Sequence, residues 1–267
     1  MWDRSPTSKS EGSLATEFCT ETIYKYLGLR RRNMKRIFLP TQAPSDWQRS
    51  LAKPSLHWKK SYSSMTTAAC WEAAGNELPA EVKQTLEASG RSDLIGLKLL
   101  AAIPEWEVDL PGGKRPSHTD VLALARNEEG LVVLGVEAKV DEPFGPTLGE
   151  KRADESIGQG ERTDYLHAAL RLEVPLKGEI RYQLLHRTVS ALRTAEDFHA
   201  CSAVMLVHSF SPTRRWREDF SSFCEAMTAM PLSSDIYIVP RFKSPRLYLC
   251  WCTGDERFLD VELPSVV

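Results

Sequence analysis

A glutamate and a lysine lie two positions apart in a run of strand-forming residues. They are Glu137 and Lys139, within the segment "GVEAKVDEPFGP" at residues 135–146. Because side chains alternate between the two faces of a strand, both charges point the same way. By itself this pattern is typical of a solvated strand face or an ion pair. A carboxylate beside an amine can also serve phosphodiester hydrolysis, which needs charge neutralised on the phosphate and an activated water.

A further acidic residue, Asp120, opens the preceding strand in "SHTDVLALA". Two carboxylates from neighbouring strands can hold Mg²⁺, a hard ion that prefers oxygen ligands and keeps several waters. Lys139 would orient or help to deprotonate the attacking water, or stabilise the pentacovalent phosphate. The pattern therefore predicts a Mg²⁺ cofactor, with Mn²⁺ as a substitute. Gly135, on the same face as Glu137, is predicted to leave room for a ligand.

The composition limits the classes of protein to which the chain can belong. Its 267 residues are 42% hydrophobic, which is enough for one large domain. With a formal net charge of −2, the chain would have to bind nucleic acid through a local basic patch. No apolar run approaches the roughly 20 residues of a membrane helix, and the N-terminus lacks the apolar core of a signal peptide. We therefore expect a cytoplasmic protein with no membrane partner.

The six cysteines include no CxxC pair, and only Cys250 and Cys252 are close in sequence. A zinc site would need further ligands at suitable spacing, so the cysteines are predicted to be buried, reduced thiols. Residues 1–33 are polar and are predicted to form a disordered lead-in. Residues 34–267 are predicted to form a single domain.

The segments around the charged residues predict helices followed by strands. Residues 54–103 have helical patterns in "SSMTTAACWEAA", "LPAEVKQTLEAS" and "SDLIGLKLLAAI", the last of which is predicted to end at Pro104. The segments "EWEVDLPGG", "TDVLALAR" and "LVVLGVEAKV" then predict three strands in an antiparallel meander. The short connections between the three segments favour this arrangement.

The second half of the chain predicts a crossover and additional strands. The strongest helical pattern covers residues 179–199, with an apolar stripe at Tyr182, Leu185, Val189 and Leu192. The buried strand "SAVMLVHSF" follows and would complete a strand–helix–strand crossover. An amphipathic helix and the strands "DIYIV" and "RLYLCWC" come next. The predicted fold is of the α/β (α+β) class, with a mixed central sheet flanked by helices and a helical N-terminal extension.

These elements and residues resemble the PD-(D/E)XK nuclease core of restriction-endonuclease-like enzymes, over about residues 90–210. The match is "SHTDVLALA" followed by "LGVEAKV", with Thr119 where the motif's name has a proline. More closely, "VEAKVDEPFGP" and "RYQLLHRT" resemble an uncharacterised bacterial group of restriction-endonuclease-like proteins, from Met34 onwards. The resemblance implies that Asp120 and Glu137 bind the metal with the Ala138 carbonyl as a third ligand.

Further site residues follow from the same resemblance. An acidic residue at the start of the first strand often joins the metal site in such folds. Glu105 is preferred for this position, although Glu107 shares its strand face. Gln183 resembles an additional motif of recombination-type exonucleases and is predicted to contact the water, the metal or the nucleic-acid backbone. Around it, basic residues of the helix are predicted to contact nucleic acid. They are Arg181, His186 and Arg187.

The leading functional prediction is a metal-dependent DNA endonuclease of the restriction or defence type. A homodimer is a possible state, because cutting both strands of a duplex favours two-fold symmetry. The alternative is a catalytically silent nuclease fold that binds nucleic acid or assembles with partners. Hydrolysis of another phosphate ester is less favoured, since the sequence has no glycine-rich phosphate loop.

Overall fold

The computed structural model describes residues 43–112, 115–153 and 156–266. These residues belong to one compact unit of the chain, Lys35–Val267. The predicted lead-in of residues 1–33 lies outside the described residues. Within the described part of the chain, no helix is long and apolar enough to cross a membrane.

A seven-stranded mixed sheet forms the centre of the fold. Its strands are β1 (Lys98–Val108), β2 (Ser117–Asn127), β3 (Gly130–Lys139), β4 (Ser202–Ser209), β5 (Met230–Pro231), β6 (Ile236–Lys243) and β7 (Arg246–Thr253). The spatial order is β1-β2-β3-β4-β7-β6-β5. β3, β4 and β7 are mutually parallel, whereas both ends of the sheet pair antiparallel. The central strands β3 and β4 are buried along most of their length, as their continuous apolar sequences require.

Helices cover both faces of this sheet. They are α1 (Pro54–His57), α2 (Ser63–Ala74), α3 (Ala80–Glu87), α4 (Leu148–Ala153), α5 (Ile157–Ala169), α6 (Tyr182–Asp197) and α7 (Arg217–Ala226), with 3-10 helices at Pro44–Ser50 and Glu256–Asp260. Helices α5, α6 and α7 share one hydrophobic core with the sheet, whereas α2 and α3 share a second core on the opposite face. The predicted fold class, a mixed sheet flanked by helices, is confirmed.

The predicted meander and crossover are both present. β1, β2 and β3 pair antiparallel in sequence order, and β3 then pairs parallel with β4. The connection contains α6, whose residues Leu185, Val189 and Leu192 are buried in the core as predicted. The side of α6 that carries Arg187 also lies against the sheet, since Arg187 contacts Glu137 near the end of β3.

The predicted helix over "SDLIGLKLLAAI" is wrong. Residues 92–96 form a turn, which ends at Gly96 with a φ of +67°, and β1 begins at Lys98. Pro104 therefore lies within a strand instead of ending a helix. This is tolerated because β1 is an edge strand of the sheet. The apolar spacing was misleading because a register shift between Leu99 and Ala101 interrupts the alternation of β1.

The start of α6 is fixed by the turn that follows β3. The backbone N–H of Tyr182 donates to the Pro146 carbonyl at 3.1 Å, and that of Leu148 donates to Ile180 at 2.8 Å. The rigid segment "EPFGP" thus places the first turn of α6 beside the end of β3. Close packing continues at Gly135, where an added Cβ would lie 3.0 Å from the Ala191 Cβ. The space predicted for a ligand at Gly135 is instead filled by α6.

Candidate active site

Glu137 is the centre of a buried hydrogen-bond network. Its Oε1 accepts from Lys139 Nζ and from Gln183 Nε2, both at 2.7 Å, and its Oε2 accepts from Arg187 Nε. Glu137 is 2% exposed and Lys139 6%. Glu137 and Lys139 lie on one face of β3, whereas Gln183 and Arg187 come from the first two turns of α6. The structure therefore brings three of the predicted catalytic residues, Glu137, Lys139 and Gln183, into direct contact.

The charges around Glu137 hold it in the ionised form. Burial disfavours its charge, but Arg187 and Lys139 outweigh this effect and lower the pKa of Glu137 to about 2. Removing one partner of such a buried pair leaves the other charge uncompensated, which costs about 3–5 kcal/mol. The solvated strand face that the sequence left open is therefore excluded, whereas an ion pair is present.

Asp120 lies where β2 and β3 separate. The pairing of the two strands ends at Val121 and Val136, and one carboxylate oxygen of Asp120 accepts from the Ala138 backbone N–H at 2.7 Å. In a strand the N–H and the carbonyl of one residue point to the same side. The Ala138 carbonyl is therefore directed toward the β2 side as well. Asp120 and the predicted carbonyl ligand thus share one edge of β3.

Glu105 lies directly opposite Asp120 in the β1–β2 register, between the pairs Pro104–Val121 and Trp106–Thr119. Its φ of +51° falls in the left-handed region, which non-glycine residues rarely adopt and which is common at functional sites. Glu105 and Asp120 together line a small cavity beneath the N-terminal helices. The other lining residues are Trp47, Leu51, Trp58, Ser64 and Thr67.

Glu107 has a different environment, although the sequence could not separate it from Glu105. Its side chain is 60% exposed, and its Oε1 lies 3.6 Å from His118 Nδ1. The structure therefore favours Glu105 over Glu107 as the acidic neighbour of Asp120.

Glu105 and Asp120 ionise less readily than free carboxyl groups do. Burial and the charge of Glu137 raise the pKa of Asp120 to about 7, against the opposing effects of Arg187 and Lys139. Burial and the charge of Asp120 raise the pKa of Glu105 to about 9. Two carboxyl groups this close cannot both ionise easily without a cation between or beside them. At neutral pH Glu105 is therefore protonated and Asp120 is partly protonated, and a cation bound beside them would favour the ionised form of both.

Gln183 is only partly satisfied in its position. Its amide nitrogen donates to Glu137, but its Oε1 is buried without a hydrogen-bond partner among the residues that the structure describes. Such a buried acceptor is normally paired with a protein donor or with ordered water. Lys139 and Gln183 meet on the Glu137 carboxylate, and neither lines the cavity that contains Glu105 and Asp120.

Ser117 connects the buried network to a cleft. Its Oγ accepts from Arg187 Nη1 and lies 2.9 Å from His186 Nδ1. Burial and the charge of Arg187 lower the pKa of His186 well below its usual value, so the ring is neutral at physiological pH. In the tautomer whose Nδ1 carries no proton, the Ser117 hydroxyl donates to His186 while it accepts from Arg187. No pattern in the sequence predicted a role for Ser117, which is the first residue of β2.

The cleft next to Ser117 has a volume of about 1250 Å³. Its lining includes Ser117, Tyr182 and His186 together with three basic side chains. These basic residues are Arg115, Lys151 and Arg162. One acidic residue, Glu161, offsets them among the described lining residues. The cleft is thus a local basic surface on a chain that is not basic overall.

Arg181 has partners within the protein. Its Nε lies 2.9 Å from Asp219 on α7, and its Nη1 donates to the Gly145 carbonyl. Arg187 is 9% exposed and paired with Glu137. Of the three predicted nucleic-acid-binding residues, only His186 lines the cleft, and the phosphate contacts of Arg181 and Arg187 stay a prediction.

The donor set at the end of β2 and β3 fits a hard cation. The groups are oxygen donors, and a cation would counter the raised pKa values of Asp120 and Glu105 by stabilising their ionised forms. Glu137 fits less directly, because Lys139, Gln183 and Arg187 already engage both of its oxygens. Asp120, Glu105 and the Ala138 carbonyl are therefore the better matched ligands in the arrangement observed.

A second group of potential ligands lies on the opposite face of the sheet. Among the described residues, one set of three or more His, Cys, Asp and Glu side chains has its ligand atoms within 4.8 Å of one another. It consists of Cys70, Glu81 and His208. No local pattern in the sequence indicates this group, because 127 residues separate Glu81 from His208.

The fold and the site define an α/β protein with a mixed sheet and a group of buried and partly buried carboxylates where two neighbouring strands separate. Residues 40–256 match the family model described as "Domain of unknown function (DUF6946)". This match covers most of the chain, which therefore belongs to the DUF6946 family. No curated protein and no solved structure matches the chain.

Proposed function

We propose that this protein is a metal-dependent phosphodiester hydrolase, a DNA endonuclease of the restriction or defence type with a restriction-endonuclease-like core. The observation that carries the proposal is the meeting of Asp120, Glu137, Lys139 and Gln183 where β2, β3 and α6 converge. Partly buried carboxylates with raised pKa values next to a lysine are more typical of a reactive site than of a structural ion pair.

Each residue has a role that follows from its contacts. Asp120, Glu105 and the Ala138 carbonyl would hold Mg²⁺ or Mn²⁺, with Glu137 joining them if it releases one of its partners. The ion would supply neutralisation of the phosphate and a more acidic water. Lys139, which donates to Glu137, would orient a water or stabilise charge on the phosphate. Gln183, whose Oε1 lacks a partner, would accept a hydrogen bond from that water.

The basic cleft supplies a place for the substrate backbone. Arg115, Lys151 and Arg162 line it, and its floor includes Ser117 and His186, which connect to Glu137 through Arg187. Cationic side chains around a phosphate path provide sequence-independent affinity for nucleic acid. Neutral His186 would add a hydrogen bond without adding charge.

A second candidate function is a silent nuclease fold that binds nucleic acid without cutting it. The engagement of Glu137 by Arg187 and Lys139 favours this alternative, because the carboxylate is neutralised without any metal. The raised pKa of Glu105 argues against it, since binding alone gives no reason to place two acidic side chains side by side with part of their surface shielded from solvent.

One experiment separates the two functions. Purified protein is incubated with supercoiled, linear and single-stranded DNA and with RNA, in Mg²⁺, Mn²⁺ or chelator. A nuclease cleaves at least one of these substrates in Mg²⁺ or Mn²⁺, and chelator abolishes the cleavage. The ratio of nicked to linear plasmid then reports whether one or both strands are cut, as a homodimer would favour.

Binding of the same substrates is measured in parallel by mobility shift in Ca²⁺, with salt titration. Retention of DNA without cleavage in any of the divalent metals would support the silent module and contradict the proposed hydrolase.

A further inference from the structure

A cysteine, a glutamate and a histidine meet behind the strand that carries Glu137. Cys70 comes from α2, Glu81 from α3 and His208 from β4. Glu81 Oε1 lies 3.2 Å from both Cys70 Sγ and His208 Nε2. Because the three side chains come from three different elements, their meeting is a product of the tertiary fold.

A fourth potential ligand lies next to this group. His208 pairs with Cys252 in the register of β4 and β7, and strand alternation directs both side chains toward α2 and α3. Thr85 Oγ1, on α3, lies 3.5 Å from Cys252 Sγ. Burial, followed by the charge of Glu81, raises the pKa of Cys70, and Cys252 adds to this effect. Cys252 is thus a neighbour of the group, although its Sγ does not lie within 4.8 Å of all three of the other ligand atoms.

We propose that Cys70, Glu81 and His208 form a structural zinc site, and that the Cys252 side chain moves toward them to become the fourth ligand. Thiolate, imidazole and carboxylate are the ligands that zinc takes in proteins. At metal–ligand distances of about 2.0–2.3 Å, tetrahedral ligand atoms lie roughly 3.3–3.5 Å apart. The two observed separations of 3.2 Å therefore need to change by only a few tenths of an ångström.

The burial of the group fits a structural site better than a catalytic one. Cys70 is 2% exposed, His208 and Cys252 are both 0% exposed, and the Glu81 side chain is 20% exposed. A closed site with protein ligands on all sides leaves no position for a substrate. On binding, the proton that Cys70 donates to Glu81, and that of Cys252, pass to solvent while the thiolates take up the ion.

The position of the site indicates that a bound zinc ion would stabilise the fold. His208 also pairs with Ala138 across β3 and β4, so the zinc lies behind the strand that holds Glu137 and Lys139. It would join α2 and α3 to β4 and β7. This site shares no residue with the proposed nuclease site, and its thiolates select zinc over the harder Mg²⁺. The inference therefore stands independently of the proposed function.

The test is the metal content of the full-length protein after purification without chelator. We expect about one zinc per chain in the wild type and in Cys224→Ala, which removes a buried thiol on the other face of the sheet. Cys70→Ala and Glu81→Gln should bind zinc at least tenfold more weakly. Zinc retained equally by Cys70→Ala, or a wild-type protein that neither contains nor takes up zinc, overturns the inference.

A spectroscopic measurement keeps the inference testable if Cys70→Ala does not fold. Co²⁺ added to the metal-free wild type should produce the thiolate-to-cobalt charge-transfer band of a cysteine-ligated site. The oxygen ligands of Asp120 and Glu105 cannot produce this band. Its absence from the folded wild-type protein contradicts the zinc site, whereas its presence in both the wild type and Cys224→Ala supports it.

Discussion

At the scale of single residues, the site contains two kinds of carboxylate. Glu137 has two cationic partners for its single negative charge, whereas Asp120 and Glu105 have too little positive charge around them to ionise readily. Glu137 has two cationic partners and a pKa lowered to about 2 against the opposing effect of burial. Burial raises the pKa of Asp120 to about 7 and that of Glu105 to about 9, with negative neighbours adding to both shifts. This division predicts opposite effects on stability when each type of carboxylate is neutralised by substitution.

Glu137→Gln should destabilise the fold strongly. The amide keeps the size of the side chain, but Arg187 and Lys139 lose their counter-charge in a buried position. The expected loss is about 3–5 kcal/mol in the free energy of unfolding, measured by urea denaturation. Glu107→Gln, at an exposed position, serves as the matched control and should change stability by less than about 0.5 kcal/mol. Equal effects of the two substitutions would contradict the buried network.

Asp120→Asn should stabilise the fold at pH 8. The folded-state pKa of Asp120 lies above its unfolded value, so its contribution to stability is fully present below about pH 4. That contribution is lost as pH rises through about 7, where Asp120 ionises beside Glu137. Asparagine never ionises, and its side-chain oxygen can still accept from the Ala138 N–H. We expect a gain of about 1–2 kcal/mol at pH 8, vanishing near pH 4, in thermal melts. A variant less stable than the wild type at pH 8 would show that the Asp120 charge is structural.

At the scale of elements, the site depends on how α6 lies against β3. Gln183 and Arg187 reach Glu137 because the turn after β3 fixes the first residue of α6, and because Gly135 allows Ala191 to pack closely. The same two elements supply most of the network, so a shift of α6 should disturb the site before it disturbs the rest of the fold.

Gly135→Ala should weaken both stability and the network. The new Cβ would lie 3.0 Å from the Ala191 Cβ, so α6 must move outward by a few tenths of an ångström. Overpacking of this kind costs about 1–3 kcal/mol. The double variant Gly135→Ala with Ala191→Gly removes the clash and should recover much of that loss. Glycine at position 191 still costs the helix roughly 1 kcal/mol, so the recovery should be incomplete. Unchanged melting of the single variant would contradict the close packing.

At the scale of the whole molecule, the sequence allowed much of the architecture to be predicted. Alternating and apolar segments predicted β2, β3, β4, β6 and β7, and the helical stripe predicted α6 with its buried face. The residues of the candidate network were predicted as well, since the spacing of Glu137 and Lys139 is local information. The errors lie where tertiary structure overrides local pattern. The edge position of β1 tolerates Pro104, and α6 fills the space at Gly135.

Other features had no local signal at all. The contact of Ser117 with His186 and Arg187 joins residues about 70 positions apart. The group of Cys70, Glu81 and His208 depends on the packing of α2 and α3 against β4. Spacing rules for metal ligands detect pairs of ligands that are a few residues apart in the sequence. No two members of this group are that close, since Cys70 and Glu81 are 11 residues apart and Glu81 and His208 are 127 apart. Likewise, the pairing of Glu137 with Arg187 follows from the position of α6, which the sequence alone does not specify.

The proposed function places Asp120 in a metal site that hydrolyses phosphodiester bonds. The most direct measurement is the single-turnover rate of DNA cleavage in Mg²⁺ by the wild type, Asp120→Asn and Glu107→Gln at pH 8. Asp120→Asn is the informative variant, because its fold should be at least as stable as that of the wild type. We predict a loss of roughly 100-fold or more for Asp120→Asn, since the metal contributes several kcal/mol to the transition state, and no loss for Glu107→Gln. Cleavage by Asp120→Asn at the wild-type rate would contradict the claim.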